Sequence, residues 1–332
     1  MSEQRTKHPK ITVVGGGTGL PILLAGLKEA NWDITAIVTV SDDGGSSGTI
    51  RSAVNTIPPG DIRNCIVALS DVHAIYKDVF QYRFAPEDQE FSGHAIGNLI
   101  IAALTEMRGD IYSALKLLSL TMDVKGRVLP ASEDPLVLQA HYADGSTVDG
   151  ETTIVKEKRP IEYVTVHQVG DPSGSKPVHA GRGVIKAIEE ADLIILGPGS
   201  LYTSILPNLA IPEIRDAIVR SCGEVVYICN IMTQLGETEH FSDADHIRVI
   251  NQHLGDGFVD VALLNNTKVP QSYIDTNEIQ DYLIQVSHDP EGLREQQARI
   301  FECDLLNLKE SGVYHDRLKL VEAIRQIYQL GK

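Results

Sequence analysis

An apolar β-branched run, Ile11-Thr12-Val13-Val14, stops directly on Gly15-Gly16-Gly17-Thr18-Gly19, and Pro21 follows with Ile22, Leu23, Leu24 and Leu27 behind it. A short run of this kind reads as a buried strand. Pro is pre-set for the first turn of a helix, and the apolar residues behind it supply one buried face. Strand, glycine turn and helix in that order open a βαβ unit, the building block of a parallel sheet. Glycines at such a turn let phosphates approach without a clashing Cβ, and the N–H groups at the start of the helix attract anions.

The alternation continues along the chain. A second strand is predicted over Ile34 to Val40, opening into Ser41-Asp42-Asp43-Gly44-Gly45-Ser46-Ser47-Gly48, a stretch read as a loop because it is too glycine-rich for helix or strand interior. Pro58-Pro59-Gly60-Asp61 marks a turn, with Asp61 predicted to cap the helix through Ile66, Val67 and Leu69. Another helix is expected from Gly93-His94, burying Ile96, Leu99, Ile100 and Leu104. Over residues 137–170 short runs (Val137-Leu138, Ile154-Val155, Ile161 to Val166) alternate with Asp144-Gly145 and Asp149-Gly150, which predicts an antiparallel β insertion. Strands are then expected over Asp192–Leu196, Val225–Cys229 and Phe258–Leu264, a capped helix from Ser242, and a closing amphipathic helix over Asp316–Leu330. The expected fold class is α/β: a Rossmann-like, mostly parallel sheet with helices on both faces and a small antiparallel insertion. At 332 residues the length allows one large domain with an insertion, or two domains.

Charge narrows the partners. Forty-five acidic against twenty-nine basic residues leave a formal charge of -16, a field that repels nucleic acid and anionic membrane surfaces. The start of the chain is polar with no apolar segment behind it, and no later segment approaches a membrane span of about 18 apolar residues, so a cytoplasmic location is expected. Four cysteines, Cys65, Cys222, Cys229 and Cys303, form no C-x-x-C pair and read as reduced thiols.

The glycine tract lies where open α/β sheets bind ligands, beyond the carboxyl end of a strand. It is not a dinucleotide fingerprint, because Leu20 stands where the third glycine belongs, and it lacks the Gly-Lys-Ser/Thr ending of a P-loop. The nucleotide is therefore left open, and a purely structural strand-to-helix turn is the alternative. Asp42 and Asp43, at the end of the second strand, suit a ribose, a divalent cation, or simply an Asx turn or helix cap. Asp61, Arg63 and Asn64 offer a carboxylate, a guanidinium and an amide within one turn, and His94 and Asn98 share a helix face. Gly197-Pro198-Gly199-Ser200 repeats the strand-then-glycine pattern at a second strand, which fits a ligand long enough to touch two loops. No Ser-His-Asp order, HExxH, CxxC or carboxylate pair at a diagnostic spacing appears, so spacing alone assigns no activity.

Together, the segments Ile11–Gly19, Val40–Gly48, Pro58–Asn64, Gly93–Leu99 and Leu196–Tyr202 resemble, in order and across nearly the whole chain, the gluconeogenesis factor family of the YvcK type (UPF0052). That family is related to the 2-phospho-L-lactate transferases of the CofD type. The resemblance implies one CofD-like domain over residues 1–332. It also implies a role in cell shape and wall synthesis on gluconeogenic carbon sources, with affinity for UDP-sugars such as UDP-N-acetylglucosamine or UDP-glucose. It places the uridine diphosphate against Gly15 to Gly19, with Asn208, Tyr273 and Arg299 as further contacts. No catalytic residue is carried over, and the resemblance favours a regulator over a catalyst. Two alternatives accompany it: a transferase of a phospho-compound, with Asp42, Asp43 and Asp61 holding Mg²⁺ and Asp61 and His94 moving protons, and an NAD-binding protein. The partners it implies are the nucleotide sugar and further copies of the chain.

Overall fold

Apolar runs become strands where the sequence is richest in Val, Ile and Leu. In chain order these are β1 (Lys10–Gly15), β2 (Asp33–Val38), β3 (Arg127–Pro130), β4 (Leu136–His141), β5 (Thr147–Asp149) and β6 (Tyr163–Gln168), then β7 (Leu193–Leu196), β8 (Glu224–Ile228), β9 (Val261–Asn265), β10 (Arg299–Cys303), β11 (Leu306–Lys309) and β12 (Gly312–His315). The computed structural model describes residues 8–54, 56–85, 91–255, 257–276, 284–310 and 312–331. The first seven residues of the polar start lie outside these.

Seven strands form one sheet in the order β10-β9-β8-β7-β1-β2-β3, every pairing parallel. All four residues of β7 are buried, as a parallel strand covered on both faces requires. The chain winds outward from β1 through β2 to β3, returns to lay β7 on the other side of β1, and winds outward again to β10. Right-handed crossovers then put the helices of the two halves on opposite faces. Helix α1 (Gly19–Glu29) packs on α3 (Gly60–Leu69) and on the helix Arg317–Leu330, while Val184–Glu189 packs on Pro212–Arg220. The β1/β7 boundary is the topological switch point, and the two glycine loops leave the sheet from these two strands.

The antiparallel insertion is present as β5-β4-β6, with one correction. Ile154-Val155 is not a strand but part of a helix, Glu151–Glu157, with Ile154 fully buried. A pair of β-branched residues carries no period, and tertiary burial decided its state. Gly45 to Gly48 are likewise helical, opening α2 (Gly45–Val54). Gly48 is a glycine because the helix folds back onto Asp43, whose carbonyl an added Cβ would strike. The helix α5 (Ile96–Arg108), which follows α4 (Ala74–Gln81), buries Gly97, Asn98, Ile101 and Ala102, while Ile96, Leu99, Ile100 and Leu104 are half-buried. The expected face is rotated because Asn98 belongs to a buried polar network. Asp61 does not cap α3: Pro59 is the N-cap, and the Asp61 carboxylate turns to the first glycine loop. The capping box at Ser242 and Asp245 forms as expected, and Asp316 caps the last helix. No helix among the described residues is long and apolar enough to cross a membrane.

Candidate nucleotide-binding site at the switch point

The two glycine loops pack on one another. An added Cβ on Gly19 would sit 2.8 Å from the Pro198 carbonyl oxygen, and one on Gly199 3.1 Å from the Gly16 carbonyl oxygen. Gly16 has no room either, facing the Thr39 methyl and, at 2.9 Å, an Asp61 carboxylate oxygen. Part of the glycine content is thus imposed by backbone meeting backbone. Gly17 differs: with φ of +68° it occupies the left-handed region that glycine adopts without a steric cost.

In front of this contact lies a cleft of about 440 Å³. Gly17, Thr18, Gly19, Pro198, Gly199 and Ser200 line its floor, while Gly15, Gly16 and Gly197 lie behind them. One wall is the segment Asn230–Gln234 after β8, with Glu237; the other carries Glu151 from the insertion helix. The β11–β12 hairpin closes the cleft with Val313, Tyr314 and His315. Tyr273 hydrogen-bonds the Lys309 carbonyl in that hairpin and so steadies a cover rather than lining the floor.

Carboxylates hold several of the donors around the cleft. The Gly17 N–H donates to Asp61 Oδ2 at 2.6 Å. Ser200 Oγ donates to Glu237 Oε2 and Thr203 Oγ1 to Oε1, with the Tyr202 and Thr203 N–H groups on the same carboxylate. Burial pushes both acids up from the ordinary carboxylate range, while the hydrogen bonds to Gly17, and to Ser200 and its neighbours, pull them back. Glu151 has no such relief. Burial, then the charges of Asp42, Asp61, Glu237 and Asp43, push it up to about 9, so it carries a proton at neutral pH.

The acidic loop after β2 is engaged as well. Asp42 Oδ1 accepts the Gly44 N–H at 2.8 Å, an Asx turn. Asp43 Oδ1 accepts both the N–H and the hydroxyl of Thr152, at 2.9 and 2.7 Å, and so caps the insertion helix from a distant loop. Among the described residues no group of three His, Cys, Asp or Glu is arranged to hold a metal ion.

A polar network runs sideways from this loop. Asn98 Nδ2 donates to Ser46 Oγ, which pairs with His94 Nδ1, each at 3.0 Å. Arg63 donates to Asn98 Oδ1 and Asn64 Oδ1, both at 3.0 Å, and Gln81 reaches the same Asn64 oxygen. Arg63 is 5% exposed, and burial, then Arg83, lowers its pKa to about 10. Asn64, with Thr18 and Lys309, lines an open groove of about 700 Å³ beyond the first loop.

Two expected contacts fall elsewhere. Asn208 is fully buried, and its amide donates to the Ser204 carbonyl, with a longer contact to Ile205, in the π-helical turn Leu201–Ile205. It supports the second loop from beneath. Arg299 begins β10 at the amino-terminal edge of the sheet, paired with Glu224 at 2.8 Å, and does not reach the cleft at the carboxyl end. Glu151, Glu237, Thr233 and Tyr314 also line the cleft, and no motif in the sequence marks them. A glycine directly precedes each of the first two, Gly150-Glu151 and Gly236-Glu237, a weak local signal.

Comparison with known proteins agrees with this architecture. The family model described as 2-phospho-L-lactate transferase CofD matches residues 11–306. A Lactococcus lactis protein named "Putative gluconeogenesis factor" is 48% identical over 97% of this chain and 98% of its own length. A Listeria monocytogenes protein named "Gluconeogenesis factor" is 45% identical over 97% of this chain and 96% of its own. The crystal structure of protein BH3568 from Bacillus halodurans superposes with a TM-score of 0.90 at 38% identity, covering 96% of this chain and all of that one, and a second structure of it is described as a UPF0052 family member. With a family model matched over residues 11–306, relatives 45–48% identical over nearly their whole length and a shared fold, the chain belongs to the CofD family, on the branch of the gluconeogenesis factors.

Proposed function

We propose that the cleft binds a nucleoside diphosphate sugar of the UDP-N-acetylglucosamine or UDP-glucose kind, and that the protein uses this occupancy as a regulator of cell shape and wall synthesis during gluconeogenic growth in the cytoplasm. The observation that carries the binding reading is the meeting of two glycine loops at the switch point, where a diphosphate lies against backbone rather than side chains. The link to gluconeogenic growth rests on the names of the relatives, and the regulatory reading on the family resemblance and on the engagement of Asp42, Asp43, Asp61 and Glu237 in structural hydrogen bonds.

The surrounding acids would repel a bare diphosphate. Asp61, which accepts the Gly17 N–H, and Asp42, close enough to act on its charge, are hard oxygen donors behind the first loop; a Mg²⁺ entering with the ligand would take oxygens from them and otherwise from phosphate and water. When bound, such an ion neutralises the diphosphate charge. Asp61 holds the first loop through the Gly17 N–H, and Ser200 presents a hydroxyl beside the second.

A second reading, a CofD-like transferase, is favoured by one observation. Glu151 carries a proton at neutral pH, as a general acid beside a leaving group needs. An NAD site is less well served, since the Asx turn occupies one of the Asp42 oxygens that would face a ribose. Calorimetry with UDP-N-acetylglucosamine, GDP and NAD, each with Mg²⁺, separates these readings. Saturable heat with the UDP-sugar is expected; none up to millimolar ligand, with NAD or GDP binding instead, overturns the proposal.

A further inference from the structure

A second chamber of about 440 Å³ opens beside the cleft at the carboxyl ends of β8 and β9. Asn230 and Ile231 line both spaces, so the two are neighbours that share this segment as a wall. Neighbouring strands lie about 4.8 Å apart, which puts the middle of the chamber, between β8 and β9, roughly 10 Å from the switch point. A moiety attached to a diphosphate on the glycine loops spans that distance.

The lining decides which moiety. Cys229, Ile231 and Leu264 make an apolar floor, each no more than 5% exposed. On the rim, Lys268 and Glu302 bring one positive and one negative group, and among the described residues Lys268 has no ion-pair partner. Asn230 Nδ2 donates to Gln234 at 3.3 Å, which leaves its Oδ1 to accept from a ligand. The buried Asp243 takes the N–H groups of Ala244 and Asp289 on one oxygen and His288 Nδ1 on the other at 2.6 Å. The imidazole is thereby held with Nε2 toward Glu302, 3.4 Å away.

One positive and one negative group on the same rim do not suit a second phosphate. Among the described residues no ring other than the His288 imidazole lines the chamber, so they offer a nucleobase no aromatic stacking partner. An apolar floor under a rim of directed donors and acceptors matches a neutral polyhydroxylated ring, its C–H face down and its hydroxyls outward. We infer that this chamber is the sugar subsite, with Lys268, Glu302 and Asn230 as the specificity contacts and Asp243 as the positioning residue for His288. The inference rests on the nucleotide-sugar reading above and adds the direction in which the ligand lies.

Titrating the same protein with UDP-N-acetylglucosamine and with UDP tests it. Lys268→Ala and Glu302→Gln are exposed-rim substitutions whose folding is checked by thermal melting. Each is expected to weaken the UDP-sugar at least tenfold while shifting UDP by less than about twofold. Equal losses for both ligands place the nucleoside in the chamber and overturn the inference. Unchanged affinity for both in the two variants also overturns it. If the wild-type protein binds UDP but gains nothing from the sugar, the sugar subsite fails alone; if it binds neither, the nucleotide-sugar reading fails and takes the inference with it.

Discussion

Replacing Glu151 with glutamine separates the electrostatics of the cleft from its shape. The folded protein holds a proton on Glu151 up to about pH 9, whereas the unfolded chain releases it near 4.5. Across that window the folded state binds one more proton than the unfolded state, so stability falls as pH rises, by up to about 1.4 kcal/mol per pH unit. The contribution is complete below the unfolded value and gone once pH passes the folded one. Between about pH 6 and pH 8 the group should remove roughly 2–3 kcal/mol, and its partial exposure to water reduces this to about 1–2 kcal/mol. Glutamine keeps the shape and deletes the titration. Urea unfolding at the two pH values should therefore show a wild-type loss that Glu151→Gln lacks, with the variant the more stable protein at pH 8. If both proteins lose the same stability between the two conditions, Glu151 is ionised in the fold and the crowding of acids around it has been misread.

Three further outcomes follow from the geometry. Gly16→Ala drives a methyl into Thr39 and Asp61, so a loss of about 1–3 kcal/mol in urea unfolding is expected, together with weakened nucleotide binding; a neutral result would show that Gly16 is not pressed against Thr39 and Asp61. Asp43→Ala removes the distant cap of the insertion helix, which should cost about 1 kcal/mol and speed amide exchange within Glu151–Glu157. Faster exchange elsewhere but not in that helix contradicts the capping role. Arg299→Ala breaks a partly exposed pair with Glu224, with an expected cost below about 1 kcal/mol and no change in UDP-sugar affinity; a large affinity loss would return Arg299 to the site.

Much of the candidate site was legible in the chain because its markers are local. The glycine loops after β1 and β7 follow from buried β-branched runs ending on glycine, and that pattern survives in any parallel sheet. Residues whose roles depend on distant partners were not legible in the same way. Asp43 reads equally as a metal ligand, a ribose contact or a cap until Thr152, more than a hundred positions away, is found on its carboxylate. Arg299 and Asn208 are polar residues of the right type, and only topology shows one at the wrong end of the sheet and the other beneath a loop. The edge strand β10 and the hairpin β11–β12 carry weak, half-exposed patterns, so the cover over the cleft left little trace in the sequence.

By itself, then, the sequence determined the α/β class, the parallel winding from β1, the glycine turns and the acidic balance, because burial period and backbone freedom are properties of neighbouring residues. The tertiary structure decided which carboxylate meets which donor, that Glu151 is protonated in a crowd of acids, and that a second chamber lies beside the cleft at the ends of β8 and β9. Each of those depends on desolvation and on contacts across the switch point, which neighbouring residues in the chain do not encode.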